Sequence, residues 1–179
     1  MSIRSSLAVL ALLVVPIAVA SQTPAAAPKP GPELRKFDVF SGKWNIENQA
    51  SASIYGPAGT QVSAETFSWM PGGFFMEHRW DAKTGDTSYK GMEVLGYDTR
   101  NKVYTSRLFD SLGNTGVWKA TLQGNTWNWT GDTDANGKTI HERCTLTLAS
   151  STAYTQKCEL STDGVKWLPN FDQKAARAK

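Results

Sequence analysis

The chain is poor in the residues that most enzyme chemistry requires. Of 179 residues only two are histidine, His78 and His141, and two are cysteine, Cys144 and Cys158. Neither His-Glu-x-x-His nor Cys-x-x-Cys occurs, so no zinc site and no thiol redox pair is expected. A Gly-x-Ser-x-Gly elbow and a Walker loop are missing too, which removes the usual hydrolase and phosphate-cradle signatures. Charge of one sign is also lacking. The 19 basic and 16 acidic residues are interspersed, so neither a nucleic-acid stripe nor a polybasic membrane patch is visible. No apolar run reaches the ~20 residues of a membrane-spanning helix. No motif calls for a metal or a cofactor, and none is expected.

What the chain does have begins with an export signal. Arg4 supplies a positive start, Leu7 to Ile17 is apolar with a late Pro16, and Ala18-Val19-Ala20 is a small-x-small cleavage site. Cleavage after Ala20 would remove Arg4 and leave a soluble periplasmic or secreted protein. No cysteine follows the cut, so lipid attachment there is not expected. Ser21 to Pro32, rich in proline and alanine, reads as a flexible tether. Residues 33–179 then suffice for one domain with a sizeable core.

The dominant pattern in that domain is strand rhythm. One helix is expected, Gly31 to Phe40, where Leu34, Phe37 and Phe40 fall at i, i+3 and i+6 and Pro32 suits the first turn. Ten short segments follow, broken every 8–12 residues by turn residues. They are Lys43–Ile54, Gln61–Trp69, Phe74–Asp81, Ser88–Tyr97, Lys102–Asp110, Gly116–Leu122, Thr126–Thr130, Thr139–Leu148, Tyr154–Leu160 and Val165–Phe171. A long sheet exposes a costly edge unless it closes, so about ten strands with short turns predict an all-β, antiparallel up-and-down barrel.

Two hairpins allow a register test, because a one-residue slip exchanges the faces. An even loop at Met70–Gly73 pairs Trp69 with Phe74 and Phe67 with Met76. It also sets Glu65 opposite an inward His78, with Trp80 on the same face. An odd loop would mix apolar and charged positions. A hairpin centred on Ser151 pairs Leu148 with Tyr154 and Cys144 with Cys158, leaving Arg143, Thr145, Thr147, Lys157 and Glu159 on the other face. Two opposed thiols in an exported protein should oxidise, closing a ~15-residue loop worth about 3 kcal/mol. Two free buried thiols are the alternative.

With the strands placed, Phe40-Ser41-Gly42-Lys43-Trp44 resembles the opening of lipocalin-like (calycin) barrels, where a tryptophan closes the barrel floor. Pro71-Gly72-Gly73-Phe74, Gly96-Tyr97-Asp98, Phe109-Asp110-Ser111 and Ser161-x-Asp163-Gly164-x-x-Trp167 resemble, more narrowly, a bacterial lipocalin-like family of unknown function. The resemblance runs from about Leu34 to Phe171. It implies a barrel with an interior cavity and carries no activity. A haem-binding relative of this barrel, the nitrobindin type, uses a histidine near its C-terminal end. Here the last histidine is His141, so that arrangement is not expected, although His78 leaves another geometry open.

Within the barrel, Glu65 and His78 are the strongest candidates. Opposed inward partners on adjacent strands lie roughly 5 Å apart at Cβ, within reach of a charge-assisted hydrogen bond. Such a pair would fix a polar group of a ligand, act as a general base, or merely organise the interior. Tyr104 and Asp110 share a strand face with Leu108 and would add polar contacts. Trp127-x-Trp129 and the remaining indoles either fill the barrel or grip a ligand. Asp132-x-Asp134-x-Asn136-Gly137 matches half a calcium loop, but Arg143 stands where the bidentate Glu belongs, and Asn-Gly equally marks a tight hairpin. The expected function is binding of a small, largely apolar or amphipathic molecule against Phe67, Phe74, Met76 and Trp80, with Glu65 and His78 at its polar end. The alternatives are an isomerase or hydrolase using the same pair, and a non-catalytic envelope interaction protein.

Overall fold

The computed structural model describes residues 27–84, 87–135 and 137–179. The expected signal (1–20) and the first half of the tether fall outside that range. Ten strands close into one antiparallel barrel in which each pairs with its sequence neighbours and the last returns to the first. They are β1 (Gly42–Ala50), β2 (Gly59–Trp69), β3 (Met76–Thr84), β4 (Thr87–Asp98), β5 (Val103–Asp110), β6 (Thr115–Gln123), β7 (Thr126–Ala135), β8 (Lys138–Ser150), β9 (Ala153–Ser161) and β10 (Leu168–Arg177). Closure pairs Trp44 with Arg177 and Ala50 with Phe171, so no sheet edge remains. The meander is the predicted architecture.

The helix of the N-terminal segment is a 3₁₀ helix, Pro32–Phe40. Three residues per turn place Leu34, Phe37 and Phe40 in one row, and all three are buried. That row plugs one end of the barrel, the floor. Phe37 stacks on Trp127 at 5.1 Å between centroids and meets Tyr104 edge-on at 5.2 Å. Trp44, Ile46, Phe67, Met76, Leu95, Leu146 and Tyr154 complete the packed layer. Burying each large side chain contributes about 1.5–3 kcal/mol. Polar bonds fix the plug: Trp44 Nε1 donates to the Phe40 carbonyl at 2.7 Å, Trp69 Nε1 to Asp38 at 2.8 Å, and the Arg177 guanidinium to the Ser41 and Val39 carbonyls.

Three expectations need correction. The β2–β3 connection is six residues long, Met70–Phe75, not two or four. Gly72 and Gly73, at φ 90° and 71°, turn the chain in a conformation that side chains resist, and Met70 N donates to Phe75 O at 2.9 Å. Trp69 therefore faces Met76, Phe67 faces His78 and Glu65 faces Trp80. The slip is two residues, so the inward face is the predicted one while the partners differ. Phe74 leaves the strand and packs, half-buried, against the floor layer. β7 runs on to Ala135 and β10 to Arg177, where Asp-, Lys- and Ala-rich sequence argues against strands. Backbone pairing on both flanks overrides that propensity.

Cys144 and Cys158 face each other and form the disulfide, in the predicted register with Leu148 opposite Tyr154. Among the described residues, no helix is long and apolar enough to cross a membrane.

Candidate functional site

Above the packed floor the barrel is hollow. A cavity of about 640 Å³ extends towards the other end, the mouth, where the β1–β2 and β5–β6 loops contribute Tyr55, Pro57, Leu112 and Asn114 to its lining. Alternation fixes what faces it. β2 presents Gln61, Ser63, Glu65 and Phe67; β3 presents His78, Trp80 and Ala82; β5 presents Ser106, Leu108 and Asp110.

Two tryptophans leave this space open because they lie against the wall. Trp80 rests over Gly91 on β4, where any Cβ would overlap its ring. Trp118 rests over Gly116 and Gly131, where an added Cβ would come within 2.8 Å of the indole. Trp127, by contrast, is fully buried in the floor layer. Aromatic residues thus fill one half of the barrel and line the other.

His78 sits at the centre of a three-residue chain rather than a pair. Its Nε2 lies 2.9 Å from Glu65 Oε2 and its Nδ1 3.2 Å from Glu93 Oε2, while its ring stacks on Phe67 at 3.9 Å. Glu93 is the direct cross-strand partner of His78, whereas Glu65 is reached diagonally. Burial pushes the imidazole down, but the Glu65 and Glu93 carboxylates outweigh it and lift the pKa to about 9. At neutral pH both ring nitrogens carry protons and donate. An imidazolium so engaged has no lone pair with which to accept a proton.

A further carboxylate stands across the lumen. Glu142 on β8 is buried, accepting from Thr133 Oγ1 at 2.6 Å and from Asn170 Nδ2 at 3.1 Å, with Tyr55 beside it. Burial lifts its pKa to about 7, and the charge of Glu93 adds to the rise. Burial, followed by the charge of Glu142, pushes the Tyr55 hydroxyl well above its ordinary value.

Of the residues singled out in the sequence, Glu65, Phe67, His78, Trp80 and Asp110 line the cavity. Phe74, Met76 and Tyr104 do not: Met76 and Tyr104 are buried in the floor layer, where the Tyr104 hydroxyl donates to Glu33 O at 3.2 Å. Asp110 lies at the mouth, and its carboxylate accepts from the Leu112 and Asn114 backbone N–H groups, holding the β5–β6 turn. The calcium-like run is split between β7 and the turn into β8, with Asp132 bonded to His141 and Asp134 to Thr139. Sequence reasoning misses Glu93 and Glu142. Glu142 does carry a signal, since it interrupts the otherwise apolar inward row Ile140, Cys144, Leu146. Glu93 carries none, because both faces of its strand mix apolar and polar residues.

Comparison with known proteins agrees with this architecture. Phycobiliprotein lyase CPES of S-type from Guillardia theta aligns at TM-score 0.54 and 15% identity, over 81% of this chain and 92% of its own. Rv2717c from M. tuberculosis aligns at TM-score 0.62 and 11% identity, over 84% of this chain and 100% of its own. At such identities the likeness is one of fold. No curated protein matches the sequence. Residues 29–164 match the family described as Protein of unknown function (DUF1579), and this lipocalin-like barrel therefore belongs to the DUF1579 family.

Proposed function

We propose that the protein is exported and binds a small, largely apolar molecule inside the barrel. The observation that carries this reading is the cavity itself, about 640 Å³ above a sealed floor, within the range of small-molecule sites. Phe67, Trp80, Trp118 and Trp129 offer the apolar wall, and the Glu65–His78–Glu93 chain offers a fixed polar edge. The neighbour from Guillardia theta is a phycobiliprotein lyase, a role compatible with a barrel built around an organic molecule. Export is supported by the Arg4-to-Ala20 signal pattern and by the Cys144–Cys158 disulfide, a bond that persists in oxidising compartments.

The alternative of a His78 general base loses support from the occupancy of both ring nitrogens. A barrel acting only through its outer surface would have no use for a hollow interior. Native mass spectrometry of the mature chain, purified without denaturant from an exporting host, tests the reading. A discrete added mass that is lost on denaturation is the expected result. A bare chain that also takes up no apolar probe would overturn it.

A further inference from the structure

The charges that line the cavity are one-sided. Glu65, Glu93, Asp110 and Glu142 face it, and His78 is the sole basic side chain; no lysine or arginine is among the described lining residues. His78 offsets one of its two carboxylate partners, and the Asp110 carboxylate is taken up by turn N–H groups. One cation against two carboxylates leaves an anionic excess in the Glu65–His78–Glu93 group, and Glu142 across the lumen has no cation among the described lining residues. In a low-dielectric interior such an excess is costly unless something positive arrives.

Unsatisfied polar atoms point the same way. Ser106, 2% exposed, and Asn48 are among the residues that line the cavity, and neither the Ser106 Oγ nor the Asn48 Oδ1 has a hydrogen-bond partner among the described residues. Buried polar atoms in native proteins are nearly always bonded, so orphans that line a hollow mark where a ligand's donors belong. Both of these accept hydrogen bonds, as do the carboxylates. Trp118 Nε1 is a third orphan, and its donor suits an oxygen on the ligand body. The faces of Trp80, Trp118 and Trp129 add an electron-rich lining that attracts cations further.

From this, and resting on the binding role given above, we infer that the cavity selects an organic cation: an apolar or aromatic body bearing a protonated amine, seated between Glu93 and Glu142 with Ser106 and Asn48 accepting its N–H groups. An anionic amphiphile meets the same carboxylates as repulsion. A neutral one gains nothing from their charge.

The test compares three probes with one apolar body: decylammonium, decanol and decanoate. Each is titrated by calorimetry into the mature chain at mildly alkaline pH, where Glu142 is ionised. The expected order is decylammonium tightest, by roughly tenfold or more over decanol, with decanoate weakest and the gap narrowing at high salt. Glu142→Gln should weaken decylammonium by about tenfold and narrow its margin over decanol, with circular dichroism reporting that the fold is intact. Equal or tighter binding of decanol would overturn the cation inference and leave the binding role standing. Failure of all three to bind would remove both.

Discussion

Gly91 determines how much of the barrel is empty. Trp80 lies flat only because β4 offers no side chain beneath it. Gly91→Ala should drive the indole off the wall and into the lumen, costing about 1–3 kcal/mol in a denaturant titration and abolishing uptake of any probe. Retained binding with unchanged stability would show that Trp80 has another place to go. This seat is invisible in the sequence, because Gly91 and Trp80 become neighbours only once the β3–β4 register is known. The inward placement of Glu65 and His78 is legible, since parity survives a two-residue slip. Their exact partners are not, since those depend on a loop whose length turns on Gly72 and Gly73.

At the scale of elements, the β8–β9 hairpin is the most readable part of the chain. A tight connection centred on Ser151 and clean alternation on both sides leave one register, and the cysteines meet in it. Replacing both with serine removes a bond across 14 residues and should lower unfolding free energy by about 3 kcal/mol. Near-native circular dichroism would remain, because the hairpin is still paired to β7 and β10. A variant as stable as the parent would contradict this stabilising role of the bond. The least readable element is β10. Its last residues, Asp172 to Arg177, look like a polar tail, and only pairing with β1 on one side and β9 on the other makes them a strand. The N-terminal helix is legible through Leu34, Phe37 and Phe40, and their strict spacing of three suits the 3₁₀ form that the structure adopts.

For the molecule as a whole, the buried charges predict how stability follows pH. Glu142 is raised from 4.5 to about 7 and His78 from 6.5 to about 9. A group whose folded pKa is raised adds stability that is full below its unfolded value and is lost as pH climbs through its folded one. Glu142 therefore acts between 4.5 and about 7, and His78 between 6.5 and about 9. Asp98 and Asp163, held low by turn N–H donors, work in the opposite direction but below their ordinary 3.8. The thermal midpoint should fall steadily from pH 4.5 to 9, and Glu142→Gln should flatten the lower part of that fall. A midpoint that rises across this range would contradict the assignment of both groups.

The Arg177 clamp has a consequence for how the protein can be handled. Because β1 begins and β10 ends at the floor, with Arg177 gripping Ser41 and Val39 there, the chain enters and leaves the barrel at one pole. Anything joined ahead of the 3₁₀ helix or after Lys179 hangs from that pole, while the cavity opens at the opposite one. A tag, a bead or a sensor surface coupled through either terminus would hold the barrel like a cup on its base, with the rim towards the solution.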